Sequence, residues 1–473
     1  MRTTTAVLAL LAATAGASSA QQSLPEQLRQ FVSVSEPVVA LTHVRLVDGT
    51  GGPARNDQTI VIRQGRIEAV GPSASTTPPA GARVMDLRGH TVIPGLIGLH
   101  DHMYYSSALG AMKPMMFSYP RLFLATGVTT IRTTGSVDPY QELNLKAAIE
   151  AGQTIGPEIF VTGPYLQGKG GGLSAMHPLD GPEDARRMVR YWAEEGVSWF
   201  KAYNMISRAD IAAAIDEAHK HGVKVTAHLC SVGFREAVAA GIDNLEHGLL
   251  TNSEFMAGKQ PDACPQGDAA VAYAGLDISS PDVQRTIQEM VRNNVALTST
   301  LGVMELSMAD RVPADERVLD AVHADIRAAL VRWKTASSDR GPDAQQHAGF
   351  RRAMDFERAF VDAGGVLAAG SDPCCLTQIA GYGDQRNFEL LVEAGFTPET
   401  AVQIMSFNGA RVLGIDDRTG SIAAGKQADL VIIAGDPTAR AADIRNVVTV
   451  FRQGIGYDSE RLIASVKGMV GVR

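Results

Sequence analysis

The middle of the chain, from about Thr91 to Leu413, alternates two hydrophobic patterns. Short apolar stretches rich in β-branched residues predict buried strands, and stretches with apolar residues every three or four positions predict amphipathic helices. The strand candidates are, in order, TVIPGLIGLH, GVTTIRTT, EIFVTG, VSWFKAY, VKVTAH, IDNLEH, VALTST and VLAAGSD. Helical patterns such as GPEDARRMVRYWAEEG and SRADIAAAIDEAHKHG lie between most of them, the latter opened by a serine cap. Eight such units predict an α/β fold with a (β/α)8 TIM barrel over residues 91–413.

The two flanking regions carry a different pattern, in which apolar and polar residues alternate and are interrupted by Gly, Asp and Pro. Residues 37–90 contain VVALTHVRLVDG, QTIVIRQGRIEAVG and ARVMDLRG, and residues 414–460 contain ADLVIIAGDP and NVVTVFRQG. Such alternation predicts half-buried strands, so we expect both flanks to build one small β-sandwich domain. A doubly wound open sheet is the alternative for the middle region, but no Gly-rich dinucleotide-binding motif follows any strand.

The first 20 residues, MRTTTAVLALLAATAGASSA, have the organisation of a secretory signal peptide. Arg2 gives the positive start, residues 6–15 the short apolar run, and residues 18–20 the small side chains before cleavage. That run is too short to span a bilayer, and no other stretch is long and apolar enough to do so. We therefore expect residues 1–20 to be removed, and the mature protein to act in a bacterial periplasm or outside the cell without a membrane span.

Composition and charge narrow the classes of function. The 473 residues are 45% hydrophobic, which suffices for one large core and a smaller domain. The net charge of -8 is spread along the chain without a basic stripe, so we expect no nucleic-acid partner. One disulfide is possible in an oxidising compartment, and the sequence leaves its pairing open among Cys230, Cys264, Cys374 and Cys375.

Two connections between the predicted strands are unusually long, residues 248–280 and residues 301–365. Long loops after barrel strands lie on the catalytic face of such folds. We therefore expect both connections to cover the site.

Five of the predicted strands finish on side chains that can bind a metal. In an extended segment, positions i and i+2 share a face, so both imidazoles of His100-Asp101-His102 can point into the barrel mouth. Imidazole together with carboxylate suits zinc and its neighbours better than calcium or magnesium. The candidate metal ligands are His100, His102, Lys201, His228, His247 and Asp372.

These motifs resemble those of the amidohydrolase superfamily over nearly the whole mature chain. The resemblance rests on VIPGLIGLHDHM, FKAY, TAHL, LEHG and GSDP, followed by NGARVLGIDDRTGSIAAGKQADLVII. Within the superfamily the chain looks most similar to the imidazolonepropionase-like and Xaa-Pro dipeptidase-like branch with a metal-bridging lysine.

The resemblance implies a centre with two divalent ions, zinc being the expected metal. His100, His102 and Asp372 would hold the more buried ion, and His228 and His247 the more exposed one. Lys201 would be carboxylated by carbon dioxide and bridge the ions, because a carbamate is an anionic ligand and an ammonium is not. A water shared by the ions would attack a carbonyl, and Asp372 would carry the proton to the leaving nitrogen.

Substrate contacts are less defined by the sequence. Tyr203 lies two residues after Lys201 and is expected to face the same cavity. His177 ends a Gly-rich loop that can approach a ligand. Arg132 could bind a substrate carboxylate or form a structural ion pair. Many relatives read Arg-Asp where this chain has Arg132-Thr133, which weakens any transfer of substrate specificity.

We therefore expect an exported amide or peptide hydrolase that acts on small molecules or short peptides. The expected activity is that of a dipeptidase, a carboxypeptidase or an N-acyl amino acid hydrolase of the ochratoxin-cleaving type. We also expect a homo-oligomer. The alternatives are a hydrolase of cyclic amides, lactones or phosphotriesters, a one-metal deaminase, and a non-catalytic metal-binding protein. A deaminase of this superfamily has no lysine ligand, so Lys201 argues against that alternative.

Overall fold

The computed structural model describes residues 24–106, 112–171, 175–308, 310–312, 315–339 and 341–472. The predicted signal peptide lies outside these residues. The strands, in chain order, are β1 (Val32–Val34), β2 (Val38–Leu46), β3 (Arg55–Arg63), β4 (Arg66–Pro72), β5 (Arg83–Asp86), β6 (His90–Pro94), β7 (Leu96–Asp101), β8 (Tyr104–Ser106), β9 (Met112–Pro114), β10 (Val128–Thr133), β11 (Glu158–Phe160), β12 (Trp199–Ala202), β13 (Lys224–Ala227), β14 (Asn244–Glu246), β15 (Ala296–Ser299), β16 (Leu367–Ala369), β17 (Leu430–Ala434), β18 (Val447–Arg452) and β19 (Ile455–Asp458).

Helices occupy most of the connections between the strands. They are α1 (Glu26–Arg29), α2 (Ser118–Ala125), α3 (Pro139–Glu150), α4 (Pro182–Glu194), α5 (Arg208–Lys220), α6 (Phe234–Ala239), α7 (Ala269–Tyr273), α8 (Pro281–Arg292), α9 (Leu301–Met304), α10 (Glu316–Ala321), α11 (Ala324–Ser338), α12 (Ala344–Asp362), α13 (Tyr382–Glu393), α14 (Pro398–Ile404), α15 (Phe407–Leu413) and α16 (Ser459–Ala464). Among the described residues, no helix combines the length and the apolar character needed to cross a membrane. The predicted serine cap of α5 is present, since the Ser207 side chain accepts a hydrogen bond from the Asp210 N–H.

Strands from both flanks share one hydrogen-bonded sheet of nine strands, ordered β1-β19-β18-β17-β6-β2-β3-β4 with β5 beside β2. Val39, Leu41, Ile60, Leu430 and Phe451 are buried in its own apolar cluster, which follows from the alternation of apolar and polar positions in these strands. The two flanks therefore meet in a single sheet. A division of that sheet into the two layers of a sandwich stays a prediction.

Eight parallel strands form the second part of the molecule, in a three-stranded sheet (β11-β10-β7) and a five-stranded sheet (β12-β13-β14-β15-β16). Neighbours in space are neighbours in sequence, which is the order of a (β/α)8 fold and differs from the reversed order of a doubly wound sheet. Over the described residues the ladders do not join into one closed sheet.

The first predicted barrel strand, residues 91–100, is two strands in the structure. β6 pairs with β17 in the nine-stranded sheet, whereas β7 pairs with β10. Gly95 separates them where the chain passes very close to Thr129, because a Cβ at position 95 would lie 2.1 Å from Thr129 Oγ1. The apolar run is continuous across this point, so hydrophobic periodicity alone could not locate the break.

The carboxyl end of β16 lies directly against β7. The Asp372 N–H donates to the His100 carbonyl oxygen over 2.7 Å, and a Cβ at Gly370 would lie 2.2 Å from the His100 nitrogen. Glycine at position 370 is what allows this approach. The eighth strand end is thereby placed beside the first, and side chains at both ends can reach one another.

Glu142, on α3, is a wholly buried carboxyl group at the edge of this region. Burial raises the pKa of Glu142 to about 8, against the opposing effect of hydrogen bonds with Thr133 and Ser136. The group is therefore mostly neutral at pH 7 in the folded protein, and it ionises near its ordinary value of 4.5 when the chain unfolds. Its contribution to stability is complete below about pH 4.5 and is lost as the pH rises to about 8.

Glu142→Gln should remove this loss of stability. We expect the difference in free energy of unfolding, variant minus wild type, to increase by on the order of 1 kcal/mol or more between about pH 5 and about pH 8. Denaturant unfolding at both pH values measures the difference. Glu150→Gln, at the exposed end of the same helix, is the matched control. Identical pH profiles for Glu142→Gln and wild type would contradict the assignment of a neutral Glu142.

Candidate metal centre

Six polar side chains from five strand ends meet at the carboxyl face of the eight parallel strands. All are buried except His228, which is half-buried. They come from β7 and the residue after it, from within β12, from the residues that follow β13 and β14, and from the turn after β16. The six are His100, His102, Lys201, His228, His247 and Asp372. They are the same residues that the sequence singles out as candidate ligands.

His100 lies at the middle of the cluster with both ring nitrogens engaged. Its Nδ1 is 2.8 Å from Glu246 Oε2, and its Nε2 is 3.0 Å from Lys201 Nζ. Because a carboxylate only accepts hydrogen bonds, this network assigns the ring proton to Nδ1. The Nε2 lone pair then faces the cluster, which is the form in which imidazole binds a metal.

Glu246 is held in place by partners from β10, from β13 and from its own strand, β14. Arg132 donates to Glu246 Oε1 over 2.5 Å, Thr226 donates to the same oxygen, and the Asn244 amide lies 3.1 Å away. The guanidinium of Arg132 lies over the Trp199 ring, with its central carbon 4.4 Å from the ring centroid. Both members of the Arg132–Glu246 pair are wholly buried, so each compensates the charge of the other.

Asp372 is in contact with both histidines of the first strand end. Its Oδ1 is 3.0 Å from His102 Nε2, and its Oδ2 is 3.6 Å from His100 Nε2. The potential ligand atoms of His100, His102 and Asp372 all lie within 4.8 Å of one another. Two imidazoles and a carboxylate at this spacing match the donor set of a catalytic zinc site with an open position.

His228 and His247 form the second side of the cluster. The ring centroid of His247 is 4.4 Å from that of His228 and 4.4 Å from that of His100. His247 Nδ1 lies 2.7 Å from the Thr300 hydroxyl, while His247 Nε2 is buried without a hydrogen-bond partner among the described residues. A buried nitrogen left without a partner is costly unless a ligand takes it up, so the residues present fit a bound ion.

The electrostatics of the cluster keep the histidines neutral. Burial and then Lys201 lower the pKa of His228 to about 3. Burial lowers the pKa values of His100 and His247 as well, with Lys201 adding to the effect at His100 and the neighbouring imidazoles at His247. Burial also lowers the pKa of Lys201 to about 8, against the opposing charges of Asp372 and Glu246. At pH 7 most of the lysine is therefore still protonated, and roughly a tenth of it is an uncharged, nucleophilic amine.

Asp372 and His247 both adopt left-handed backbone conformations, with φ of 50° and 66°. Such conformations are costly for residues other than glycine and collect at functional sites. Burial would raise the pKa of Asp372, but His100, the hydrogen bond from His102 and the charge of Lys201 outweigh burial and hold the pKa well below its usual range. Asp372 is therefore an ionised base over the whole physiological pH range.

Three tyrosines line one side of the cluster. The Tyr104 ring stacks on His102 at 4.7 Å between centroids, and the Tyr104 and Tyr165 hydroxyls are 2.7 Å apart. The Tyr203 ring lies 5.2 Å from Tyr165 and 4.9 Å from His228. Burial raises the pKa of Tyr203, so its hydroxyl stays protonated and can donate a hydrogen bond. Tyr203 thus borders the cluster, as its spacing from Lys201 indicates.

The structure does not bring the other two candidate substrate contacts into the cavity. His177 is exposed and lies 3.3 Å from Asp184 near the start of α4, which draws it away from the cluster. Arg132 is buried beneath the cluster in its ion pair with Glu246, so a substrate cannot reach its guanidinium. Of the two interpretations of Arg132, the structure favours the ion pair.

Several contributors to the site escape sequence reasoning. Glu246, Thr300, Tyr104 and Tyr165 contact the candidate ligands, although the first two are distant in sequence from the groups that they orient. The one available signal is at Glu246, which is a charge inside the otherwise buried strand IDNLEH. Such a charge needs a buried partner.

The long connection over residues 248–280 is tied to the site by a disulfide between Cys230 and Cys264. This resolves the pairing that the sequence leaves open. Cys230 lies two residues after His228, so the bond anchors the loop beside the half-buried face of the cluster. Cys374 and Cys375 remain as free thiols.

Comparison with known proteins agrees with this geometry. The model of the Amidohydrolase family matches residues 91–455. A protein from Bifidobacterium longum that has been assigned as a prolidase is 27% identical with a TM-score of 0.64, over 91% of this chain and 98% of its own. The A. niger ochratoxinase is 18% identical with a TM-score of 0.65, over 89% of this chain and 95% of its own, and shows the shared fold.

Among characterised sequences, the enamidase of Eubacterium barkeri is 23% identical, over 80% of this chain and 82% of its own length. The family match spans most of the chain and contains all six residues of the cluster. The protein therefore belongs to the amidohydrolase family and is a hydrolase that acts on carbon–nitrogen bonds.

Proposed function

We propose that the protein is an exported two-metal amide hydrolase that releases a C-terminal residue from a short peptide or an N-acyl amino acid. The observation that carries this proposal is the position of Lys201. Its amine lies 3.0 Å from His100 Nε2, inside a cluster of four histidines and one aspartate. A one-metal deaminase site needs no lysine there, so this position favours the two-metal hydrolase.

The six residues divide into two ligand groups. His100, His102 and Asp372 would hold one divalent ion, and His228 and His247 would hold the other. When bound, two such ions supply an activated water at neutral pH and polarise a substrate carbonyl. Zinc is the metal that this donor set suits best.

Lys201 would join the two groups as a carbamate. The uncharged amine adds to carbon dioxide, forming an N–C bond and releasing one proton. Two features support this step. Burial lowers the pKa of Lys201 to about 8, and among the described residues the hydrogen-bond partner of its amine is His100 Nε2 and not a carboxylate. A carbamate replaces the cation by an anion, which also relieves the charge repulsion between Lys201 and any bound ion.

Asp372 is positioned to move the proton during amide cleavage. His102 engages its Oδ1, so its Oδ2 is the oxygen free to accept a proton from the attacking water. Returning that proton to the leaving nitrogen completes general acid–base catalysis. The left-handed backbone of Asp372 fixes the carboxylate over the cluster before substrate arrives.

The Tyr203 hydroxyl would hold the substrate beside His228, a role supported by the 4.9 Å between the two ring centroids. It can donate to the oxyanion that develops on the scissile carbonyl or to a substrate carboxylate. The B. longum and A. niger proteins, named as a prolidase and an ochratoxinase, suggest where to begin among amide substrates.

Four further expectations accompany this proposal. We propose that the eight strands act as a closed barrel over residues 91–413, supported by the Asp372–His100 backbone hydrogen bond and an isolated bridge between Thr162 and Trp199. Export to a periplasm or the medium is supported by the Cys230–Cys264 disulfide, since such bonds persist in oxidising compartments. We also propose that both flanks form a small β-sandwich and that the protein is a homo-oligomer.

Asp372→Asn tests the proposed chemistry. In zinc- and bicarbonate-loaded protein, we expect the variant to lose amine release from dipeptides and N-acyl amino acids by about 100-fold or more. Bound metal should be largely retained, because an amide oxygen can still serve as a ligand. Asp436→Asn is the matched control, because Asp436 pairs with Arg45 of the nine-stranded sheet and is not part of the cluster.

Near wild-type turnover in Asp372→Asn would remove this residue from the proton-transfer role. No amine release by the metal-loaded wild type from any peptide or N-acyl amino acid would overturn the proposed substrate class. Lactones, cyclic amides and phosphotriesters would then be the substrates to examine.

Glu246→Gln tests the buried support of the centre. A glutamine must place an NH2 group against either His100 Nδ1–H or the Arg132 donors, so His100 loses its fixed orientation. We expect metal affinity, measured by competition with a chelator, to fall about 10- to 100-fold. Glu254→Gln is the matched control, because Glu254 is also buried and paired, with Arg235, without contacting His100. Equal affinity in both variants would refute a positioning role for Glu246.

A further inference from the structure

Cys374 and Cys375 lie in the turn that follows β16, two and three residues after Asp372. Their sulfur atoms are 2.6 Å apart, and both side chains are half-buried. Cys374 is close enough to Lys201 and Tyr203 to interact with them electrostatically. Two adjacent thiols therefore lie beside the cluster of candidate metal ligands, in the same turn as Asp372. The proposed hydrolysis gives neither of them a role.

Hydrogen bonds from three directions hold the backbone of this turn. The Ser106 N–H donates to the Cys374 carbonyl over 2.6 Å, and the Tyr105 hydroxyl donates to the Leu376 carbonyl over 2.8 Å. The Cys374 N–H itself donates to the Asp372 carbonyl over 2.7 Å. The sulfur atoms are thus kept together by a backbone that is already ordered, so joining them costs little further conformational entropy.

The sulfur atoms need to move only a short way, but the backbone of the turn must change with them, because adjacent Cα atoms are about 3.8 Å apart and disulfides usually join Cα atoms about 4.4–6.8 Å apart. A disulfide has sulfurs about 2.0 Å apart, so the Cys374 and Cys375 sulfurs would approach by roughly 0.6 Å. The chain also carries the Cys230–Cys264 disulfide, which indicates an environment in which thiols can be oxidised.

The two cysteine pairs differ in what a bond would do for stability. Cys230 and Cys264 are 34 residues apart in sequence, so their bond restricts a long segment of the unfolded chain. A bond between neighbouring residues closes almost no loop and restricts the unfolded chain very little. Little stability would be lost on its reduction, which suits a reversible bond and not a structural one.

We propose that Cys374 and Cys375 form a reversible vicinal disulfide, a modification site in the turn that carries Asp372, beside the candidate metal ligands. The oxidant is an external disulfide, either a small molecule or a protein thiol–disulfide exchanger. The thiolate of one cysteine attacks it, forming a mixed disulfide and releasing one external thiol. The second cysteine displaces the other external thiol, so the pair loses two electrons and two protons and the oxidant gains them.

Closing this bond changes the turn that holds Asp372. The turn contains two left-handed residues, Asp372 and Leu376, with φ of 50° and 49°, so there is little freedom to absorb a new covalent constraint. The Asp372 carboxylate would shift relative to His102, and a displacement on the order of 1 Å at a catalytic group can cost about 100-fold in rate. The link to turnover rests on the proposed function, whereas formation of the disulfide does not.

The test uses full-length mature protein treated with oxidised glutathione or with a reducing phosphine, followed by alkylation under denaturing conditions and peptide mass analysis. We expect the oxidised sample to contain a peptide with an internal Cys374–Cys375 bond, two hydrogen atoms lighter and unalkylated. The reduced sample should carry two alkyl groups there. Cys375→Ser should instead retain a glutathione adduct on Cys374.

Persistence of both free thiols, or separate glutathione adducts on both, in the oxidised wild type would overturn the site. On an amide substrate, oxidation should lower wild-type turnover at least about tenfold and reduction should restore it. Turnover of the double variant Cys374→Ser/Cys375→Ser, which can form neither the bond nor a glutathione adduct at this turn, should not change on oxidation. Unchanged turnover with the bond formed would overturn the link to catalysis. Absence of any amide turnover would instead count against the proposed function, because the mass analysis decides the modification independently.

Discussion

The buried Glu246 carboxylate is the group on which the geometry of the metal centre depends. It accepts hydrogen bonds from Arg132, Thr226 and Asn244, and it fixes the proton of His100 on Nδ1. An isolated carboxylate at this depth would be strongly destabilising, so the Arg132 guanidinium is as necessary as the histidine that Glu246 orients. The Arg132–Glu246 ion pair is thereby linked directly to the candidate ligand His100.

Burial and neighbouring charges also set the protonation states of the other cluster residues. Four neutral imidazoles surround one lysine and one ionised aspartate. Burial lowers the pKa values of His100, His228 and His247. Neutral histidine and anionic carboxylate are the forms that bind metals, so the cluster already has the protonation states that metal binding requires. The packed strands also hold His247 and Asp372 in strained backbone conformations that they would not adopt alone.

Much of the site could be predicted because its ligands lie at strand ends, where extended geometry dictates which side chains share a face. His100 and His102 are the clearest instance, and the positions of the eight strands follow from their apolar runs. Partners that are distant in sequence could not be predicted in this way. The pairing of Arg132 with Glu246, 114 residues apart, depends on how strands are arranged in space. The Gly95 break is hidden within a continuous apolar run, and His177 is drawn to a local partner, Asp184, that no pattern indicates.

The measurement that tests the central claim most directly is anomalous X-ray diffraction at the zinc edge, on crystals of protein loaded with zinc and bicarbonate. The account predicts two anomalous peaks about 3.5–4 Å apart, one beside His100, His102 and Asp372 and one beside His228 and His247. It also predicts electron density for a carboxylate on Lys201 Nζ between the peaks. A single peak with an unmodified lysine amine would contradict the two-metal centre.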